Sequence, residues 1–373
     1  MKIFSKALIL SVVFCTLSRT AALASGDVSA RAAILIEQST GDVLYEKNAR
    51  ERLPMASTTK IMTALCAIEA GDLSRTVKVH PSACGVEGSS IYLAPGDCLT
   101  MESLLYALML ESANAAAAAI AFEVSGSIEA FAERMNGAAA DLGLSDTHFT
   151  NPHGLDDEMH YTTAADLGKI AARAMENGMF AKIVSTRKHT ISITHPDGEA
   201  VSRVLLNHNK LLRLSDDVTG VKTGFTRRCG RCLVSAAERD GVSLIAVTLN
   251  APDDWNDHLA LHELGFASRT CYRLAEPGEF TVQLPCVSAK DGILTACNRD
   301  GLSFVRENGL EITHVVEADR LLMPPVEEGR TVGRVIFYAN DDILGEIPLY
   351  SCESVEEPAD TRSPGRKILD LLT

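Results

Sequence analysis

The sequence predicts an α+β domain followed by a small all-β domain. Three observations carry this: β-type runs at both ends of residues 30–270, helical periodicity between them, and a shift near residue 272 to short β-type runs broken by Gly, Pro, Asn and Asp. Ala33-Ile34-Leu35-Ile36 and Val43-Leu44-Tyr45 flank Ser39-Thr40-Gly41-Asp42, two apolar runs around a turn, which reads as a hairpin. From Ser57 onward Ile61, Met62, Leu65 and Ile68 recur at helical spacing. Met101 to Ala121 is a second helical region, interrupted at Ser112 to Asn114 before an alanine-rich run, so Ser57 and Ser112 both fall at helix edges or turns. Ala164 to Asn177 reads as a third helix, Lys188 to Ile193 alternates as a strand, and Val201 to Leu214 is mixed. Strand patterns return at Gly220 to Phe225, Leu233 to Ala237 and Ser243 to Asn250, with a turn at Arg239-Asp240-Gly241, before a helix over Asp254 to Phe266. A sheet assembled from the two ends of the domain, with helices between, follows.

The 373 residues suffice for two domains, and 46% hydrophobic with 23% charged residues is an ordinary globular balance that excludes global disorder. A formal charge of −14 repels phosphate backbones, so no nucleic-acid partner is expected. Residues 1–24 read as a signal peptide: Lys2 and Lys6 are basic, Ala7 to Leu17 is apolar but too short to span a bilayer, and Ala22-Leu23-Ala24 supplies small residues for cleavage. The mature protein is therefore expected outside the cytoplasm. Residues 25–271 read as the main domain, 272–352 as the β-rich domain, and 353–373 as a flexible tail. Of ten cysteines, all but Cys15 fall in the mature part, scattered rather than spaced as a disulfide framework. Cys229-Gly230-Arg231-Cys232 is a lone CxxC without partners for a zinc site, and His258, His262 and Glu263 do not complete a zinc-helix pattern. No metal or organic cofactor is expected.

Three short elements could carry chemistry. Ser57-Thr58-Thr59-Lys60 puts a hydroxyl and an amine on one face of a helix, where a desolvated lysine can act as base for a serine nucleophile. A second match, Ser185-Thr186-Arg187-Lys188, runs into a strand pattern that would point the two side chains apart. Ser112-Ala113-Asn114 offers a hydroxyl to relay a proton and an amide to hold a lysine or a carbonyl, though Ser and Asn are also favoured helix caps. Lys222-Thr223-Gly224 on a strand presents a cation, a hydroxyl and a residue without a side chain, a place for an anionic substrate, though a strand glycine can equally mark a bulge. Each alone fits a structural role. The three in this order, in strand-helix-strand context, form the joint signature of β-lactamases and penicillin-binding proteins.

The chain resembles the low-molecular-mass penicillin-binding proteins that are D-alanyl-D-alanine carboxypeptidases. The likeness runs through Ala32 to Ile36, Leu53 to Lys60, Gly88-Ser89-Ser90, Asn151 to Leu155, Tyr161 to Ala164, Asn207 to Leu212 and Gly220 to Gly224, and more weakly into the β-rich domain. It implies a β-lactamase/transpeptidase-like domain, an antiparallel sheet with helices on both sides. It implies Ser57 as nucleophile, Lys60 as its base and Ser112 as proton relay. Asn114 would position Lys60 and the substrate amide, Lys222, Thr223 and Gly224 would line the binding strand with the first two holding the terminal carboxylate, and the backbone N–H groups of Ser57 and Phe225 would form the oxyanion hole. The implied substrate is the peptidoglycan pentapeptide, with β-lactam antibiotics as inhibitors that acylate the same serine. A β-lactamase or endopeptidase on the same scaffold, or a non-catalytic sensing module, are the rival readings; Asp156, Asp157 and Glu158 are the carboxylates a lactamase could use. Three departures stand out: Ala115 where many relatives carry Asp, Cys229 where a small residue is usual, and a short terminal segment, Arg366 to Leu372, that would give only weak membrane-surface contact.

Overall fold

The computed structural model describes residues 28–339 and 342–357, so the signal segment and the terminal basic segment lie outside the described residues. The hairpin read near the start is β1 (Ala32–Glu37) against β2 (Val43–Lys47), antiparallel. All six residues of β1 are buried, because it sits inside a sheet covered on both faces, which is why its first five residues, Ala32 to Ile36, are a continuous apolar run rather than an alternating one. Helix α1 (Lys60–Glu69) follows a 3-10 turn over Ala56–Thr59. Next come β3 (Thr76–Lys78), β4 (Cys98–Thr100), α2 (Met101–Leu110) and α3 (Asn114–Ser125), so the predicted interruption at Ser112 is real. Asn114 through Ala121 of α3 are all buried: alanine side chains let a helix be enclosed on every side by its neighbours.

Helix α4 (Ile128–Asp141), α5 (Ala164–Met175) and α6 (Gly178–Ser185) complete the helical layer, and β5 (Lys188–Thr194) with β6 (Ala200–Leu206) joins β3 and β4 in a small four-stranded sheet. After the short helix α7 (Leu211–Leu214), strands β7 (Val218–Thr226), β8 (Gly230–Arg239) and β9 (Val242–Leu249) finish the main sheet in the order β2-β1-β9-β8-β7, every pair antiparallel. Helix α8 (Asp254–Ser268) lies on one face: a Cβ on Gly265 would come within 2.6 Å of Leu244 and 3.2 Å of Leu35. Helix α5 lies on the other, since a Cβ on Gly168 would meet Ile34 at 3.3 Å and Val247 at 3.9 Å, and strand neighbours point to opposite faces. The antiparallel sheet with helices on both sides is as the resemblance implied. Among the described residues no single helix is long and apolar enough to cross a membrane.

Strand β10 (Arg269–Ala275) continues directly from α8 and pairs with β13 (Leu302–Glu307), so the boundary expected at 271 falls inside a strand rather than in a linker. Cys271 and Val305 of this ribbon pack on the core of the first domain, which the composition shift could not reveal. Strands β11 (Thr281–Pro285), β12 (Ile293–Cys297), β14 (Ile312–Ala318), β15 (Thr331–Ala339) and β16 (Asp342–Ser351) form a second five-stranded sheet around Leu294, Val335, Phe337 and Leu349. The packed chain runs past the expected tail boundary at 353: Val355 is buried and bridges Val326.

Candidate active site

The site is built around a strained turn. Ala56 has φ 47°, a left-handed conformation that side-chain-bearing residues rarely adopt, and it lifts Ser57 to a partly exposed position at the entry to α1. The Thr58 hydroxyl donates to the Met55 carbonyl at 2.6 Å and the Thr59 hydroxyl to the Ala56 carbonyl at 2.8 Å, so the turn is closed by its own side chains. Gly154, at φ +86°, passes so close that a Cβ there would sit 1.9 Å from the Ala56 carbonyl oxygen.

Lys60 has no exposed surface, and its Nζ lies 3.0 Å from Ser57 Oγ, 2.7 Å from Asn114 Oδ1 and 2.5 Å from the His153 carbonyl. Two of those partners can only accept. A neutral amine therefore spends both its N–H groups on Asn114 and His153 and turns its lone pair to Ser57, which is the geometry of a base. Burial lowers the Lys60 pKa well below that of an ordinary lysine, and the charge of Lys222 lowers it further.

Ser112 and Asn114 occupy the break between α2 and α3. Ser112 is at φ 59°, and Asn114 receives a fixed orientation: its Nδ2 donates to the Glu87 carbonyl at 2.5 Å and its backbone N–H to the Ser89 carbonyl at 2.8 Å, leaving Oδ1 for Lys60. A Cβ on Gly88 would stand 2.8 Å from that Nδ2, so the 87–89 segment needs its glycine to close on the amide.

On the edge strand β7, Lys222 is buried, donates to the Thr223 carbonyl at 2.8 Å, and has its pKa pushed down by burial to about 7. Gly224 runs against the nucleophile turn: a Cβ would be 3.1 Å from the Ser57 nitrogen and 3.2 Å from Ala56 Cβ. Between turn, helix break and strand opens a cleft of about 320 Å³ lined by Ser57, Ser112, Thr223, Gly224 and Phe225 of the expected set. Lys60, Asn114 and Lys222 lie buried behind that lining.

The cleft also takes Ser89, His208, Arg231, Asp254 and Trp255, none of which is among the site residues the sequence points to. Ser89 and His208 stood in segments that carried the resemblance, which is the one signal that could have found them. Arg231 is held by Asp254 at 2.6 Å and lies over the Trp255 ring at 5.3 Å, a pairing between strand and helix that no local pattern announces. His153 contributes its carbonyl and not its ring, whose pKa burial drives down to about 3.

The other candidates fall elsewhere. His258 and His262 are buried under the sheet around Ser235 Oγ, at 2.6 and 2.8 Å, with His258 also 2.9 Å from Thr248 Oγ1, a closed polar network. Among the described residues no cluster could hold a metal ion. Cys229 and Cys232 are buried free thiols at the β7–β8 turn, and Ser185 and Lys188 are exposed at the end of α6 and the start of β5. Asp156 accepts from Thr226 Oγ1 at 2.9 Å and Cys229 Sγ at 3.4 Å, and Asp157 caps the Met159 N–H at 2.7 Å; neither they nor Glu158 line the cleft.

Comparison with known proteins points the same way. The family model described as D-alanyl-D-alanine carboxypeptidase matches residues 18–253. The chain is 30% identical to D-alanyl-D-alanine carboxypeptidase DacF of Bacillus subtilis over 88% of this chain and 86% of that protein. The crystal structure of a Streptomyces DD-transpeptidase aligns with TM-score 0.63 at 32% identity, covering 66% of this chain and all of the other. The D-alanyl-D-alanine carboxypeptidase DacD of Francisella tularensis shares the fold over 90% of this chain and 95% of its own, with TM-score 0.63 at 24% identity.

Proposed function

The chain belongs to the D-alanyl-D-alanine carboxypeptidase family, and on that premise we propose how its residues divide the work. The protein is a serine-type carboxypeptidase of the cell envelope that removes the terminal D-alanine from peptidoglycan stem peptides and is inhibited by β-lactams. Ser57 attacks the carbonyl between the last two D-alanines while the neutral Lys60 amine takes the Oγ proton. The backbone N–H groups of Ser57 and Phe225 receive the developing oxyanion. Ser112 passes the proton to the departing amine, and Lys222 with Thr223 holds the terminal carboxylate. Water then cleaves the Ser57 ester and releases a peptide one D-alanine shorter.

One observation carries this assignment above the rest: Lys60 Nζ is 3.0 Å from Ser57 Oγ while its other two partners are acceptors only. A lactamase reading would need a carboxylate beside the ester, and Asp156, Asp157 and Glu158 stand outside the cleft. Export through a signal peptide at 1–24 and weak membrane-surface contact through Arg366 to Leu372 complete the proposal. Incubation with a penicillin, digestion and mass spectrometry test it. The expected result is an adduct on the peptide containing Ser57, absent from Ser57→Ala and slowed at least about 100-fold in Lys60→Arg, whose guanidinium stays protonated and cannot accept a proton. Labelling elsewhere, or undiminished labelling of Lys60→Arg, overturns it.

A further inference from the structure

We propose that His160, acting through Thr59, is a positioning residue for the nucleophile, an inference that rests on Ser57 being that nucleophile. His160 is buried on the 148–162 segment, and both of its ring nitrogens are engaged. Nδ1 accepts from the Thr150 backbone N–H at 3.0 Å, which places the ring proton on Nε2. Nε2 then donates to Thr59 Oγ1 at 2.8 Å, and Thr59 is left with its own proton for the Ala56 carbonyl at 2.8 Å. The chain runs in one direction only: backbone to imidazole to hydroxyl to the carbonyl of the residue that precedes Ser57.

That last carbonyl belongs to Ala56, the residue held at φ 47°. A left-handed alanine persists only where its surroundings impose it. Here Gly154 presses from the same segment, and the Thr59 hydroxyl fixes the carbonyl from the helix side. The bond from Thr59 to Ala56 brackets Ser57 and Thr58, and Thr59 directly precedes Lys60, so one clamp sets both the nucleophile and the backbone from which its base departs. Burial pushes the His160 pKa to about 4, so the imidazole stays neutral and the proton pattern holds at neutral pH. Neither His160 nor Thr59 lines the cleft, so their effect is on geometry rather than on substrate contact.

Four substitutions in the otherwise complete protein separate this from simple support of the fold. His160→Gln keeps a donor near the Nε2 position, while His160→Asn keeps only the acceptor for Thr150; Thr59→Ser keeps the hydroxyl and Thr59→Val removes it. The second-order rate of acylation by a fluorescent penicillin is measured beside the thermal midpoint of each. The expected result is a loss of about 10- to 100-fold in His160→Asn and Thr59→Val, the size a misplaced reacting group produces. Gln and Ser recover most of the rate, and the Asn/Val double variant is no slower than the worse single one, because both break one clamp. Wild-type acylation in Asn and Val, or rates that track the thermal midpoint with no rescue by Gln or Ser, overturns the inference. A wild-type protein that no penicillin labels strikes the reading beneath it instead, and the inference falls with that reading.

Discussion

Lys222 lies close enough to Lys60 for its charge to add to burial in keeping the Lys60 amine neutral. The two lysines of the site thus differ in state: Lys60, deprotonated, is the base, and Lys222 serves as the cation only while protonated, with a pKa burial has brought to about 7. Free-enzyme kcat/KM should therefore rise with pH as Lys60 loses its proton, on a limb far below the ordinary lysine range, and fall again as pH passes about 7 and Lys222 is discharged. Lys222→Arg should carry the alkaline limb out of the measurable range, since guanidinium does not titrate there. A pH profile flat from 6 to 9 in the wild type would contradict this.

Gly154→Ala should cost about 3 kcal/mol and abolish acylation, because its Cβ would meet the Ala56 carbonyl oxygen at 1.9 Å and carbon at 2.5 Å, backbone atoms that cannot swing aside. Gly143→Ala is the matched control: φ is +68° but nothing lies within 4 Å, so only the backbone strain of about 1 kcal/mol applies. Denaturant midpoints and penicillin labelling of both variants read the difference.

Acid should destabilise the fold before carboxylates titrate. Burial depresses His160 and His262 to about 4 and His153 to about 3, and lowers His258 as well. Because each folded value lies below the unfolded value of about 6.5, the unfolded chain binds protons that the native one refuses, so stability falls as pH drops from about 6.5 towards 4. Urea midpoints at pH 7, 6 and 5 should decline step by step; an unchanged midpoint would mean these rings are not buried neutral.

The Sγ atoms of Cys297 and Cys352 are 2.9 Å apart, and the Cys352 N–H donates to the Thr295 carbonyl at 2.9 Å, so the backbones already run side by side. A disulfide oxidant such as oxidised glutathione should join them, two thiols giving up two electrons and two protons while the oxidant becomes two thiols. Cys66, buried where Cys352 is exposed, is out of the oxidant's reach and should stay a thiol. Alkylation followed by peptide mapping distinguishes the linked pair from two labelled cysteines.

Much of this was legible in the sequence where a pattern repeats. The long helices and the apolar strands β1, β8 and β9 announce themselves by periodicity or by continuous burial, and the order of the three motifs located Ser57, Lys60, Ser112, Asn114, Lys222 and Thr223. Strands β3 and β4, three residues each, carry too few side chains to show alternation. Helix α4 is the exception among the long helices: Phe131, Met135 and Ala139 do recur at helical spacing, a signal present in the sequence but lying between the motifs that carried the resemblance. The His153 carbonyl is a backbone group, and nothing in the residue type marks it. Likewise the Arg231–Asp254 pair and the His160–Thr59 bond join residues 23 and 101 apart, contacts that only folding makes.

The central claim is that Ser57 turns over a D-alanyl-D-alanine terminus. The direct measurement incubates the protein from Ser25 onward with diacetyl-L-Lys-D-Ala-D-Ala and scores free D-alanine, for wild type, for Ser57→Ala, and for wild type pretreated with penicillin. Release by the untreated wild type alone is the predicted result. Release that survives in Ser57→Ala, or none from a wild type that penicillin does label, would contradict it.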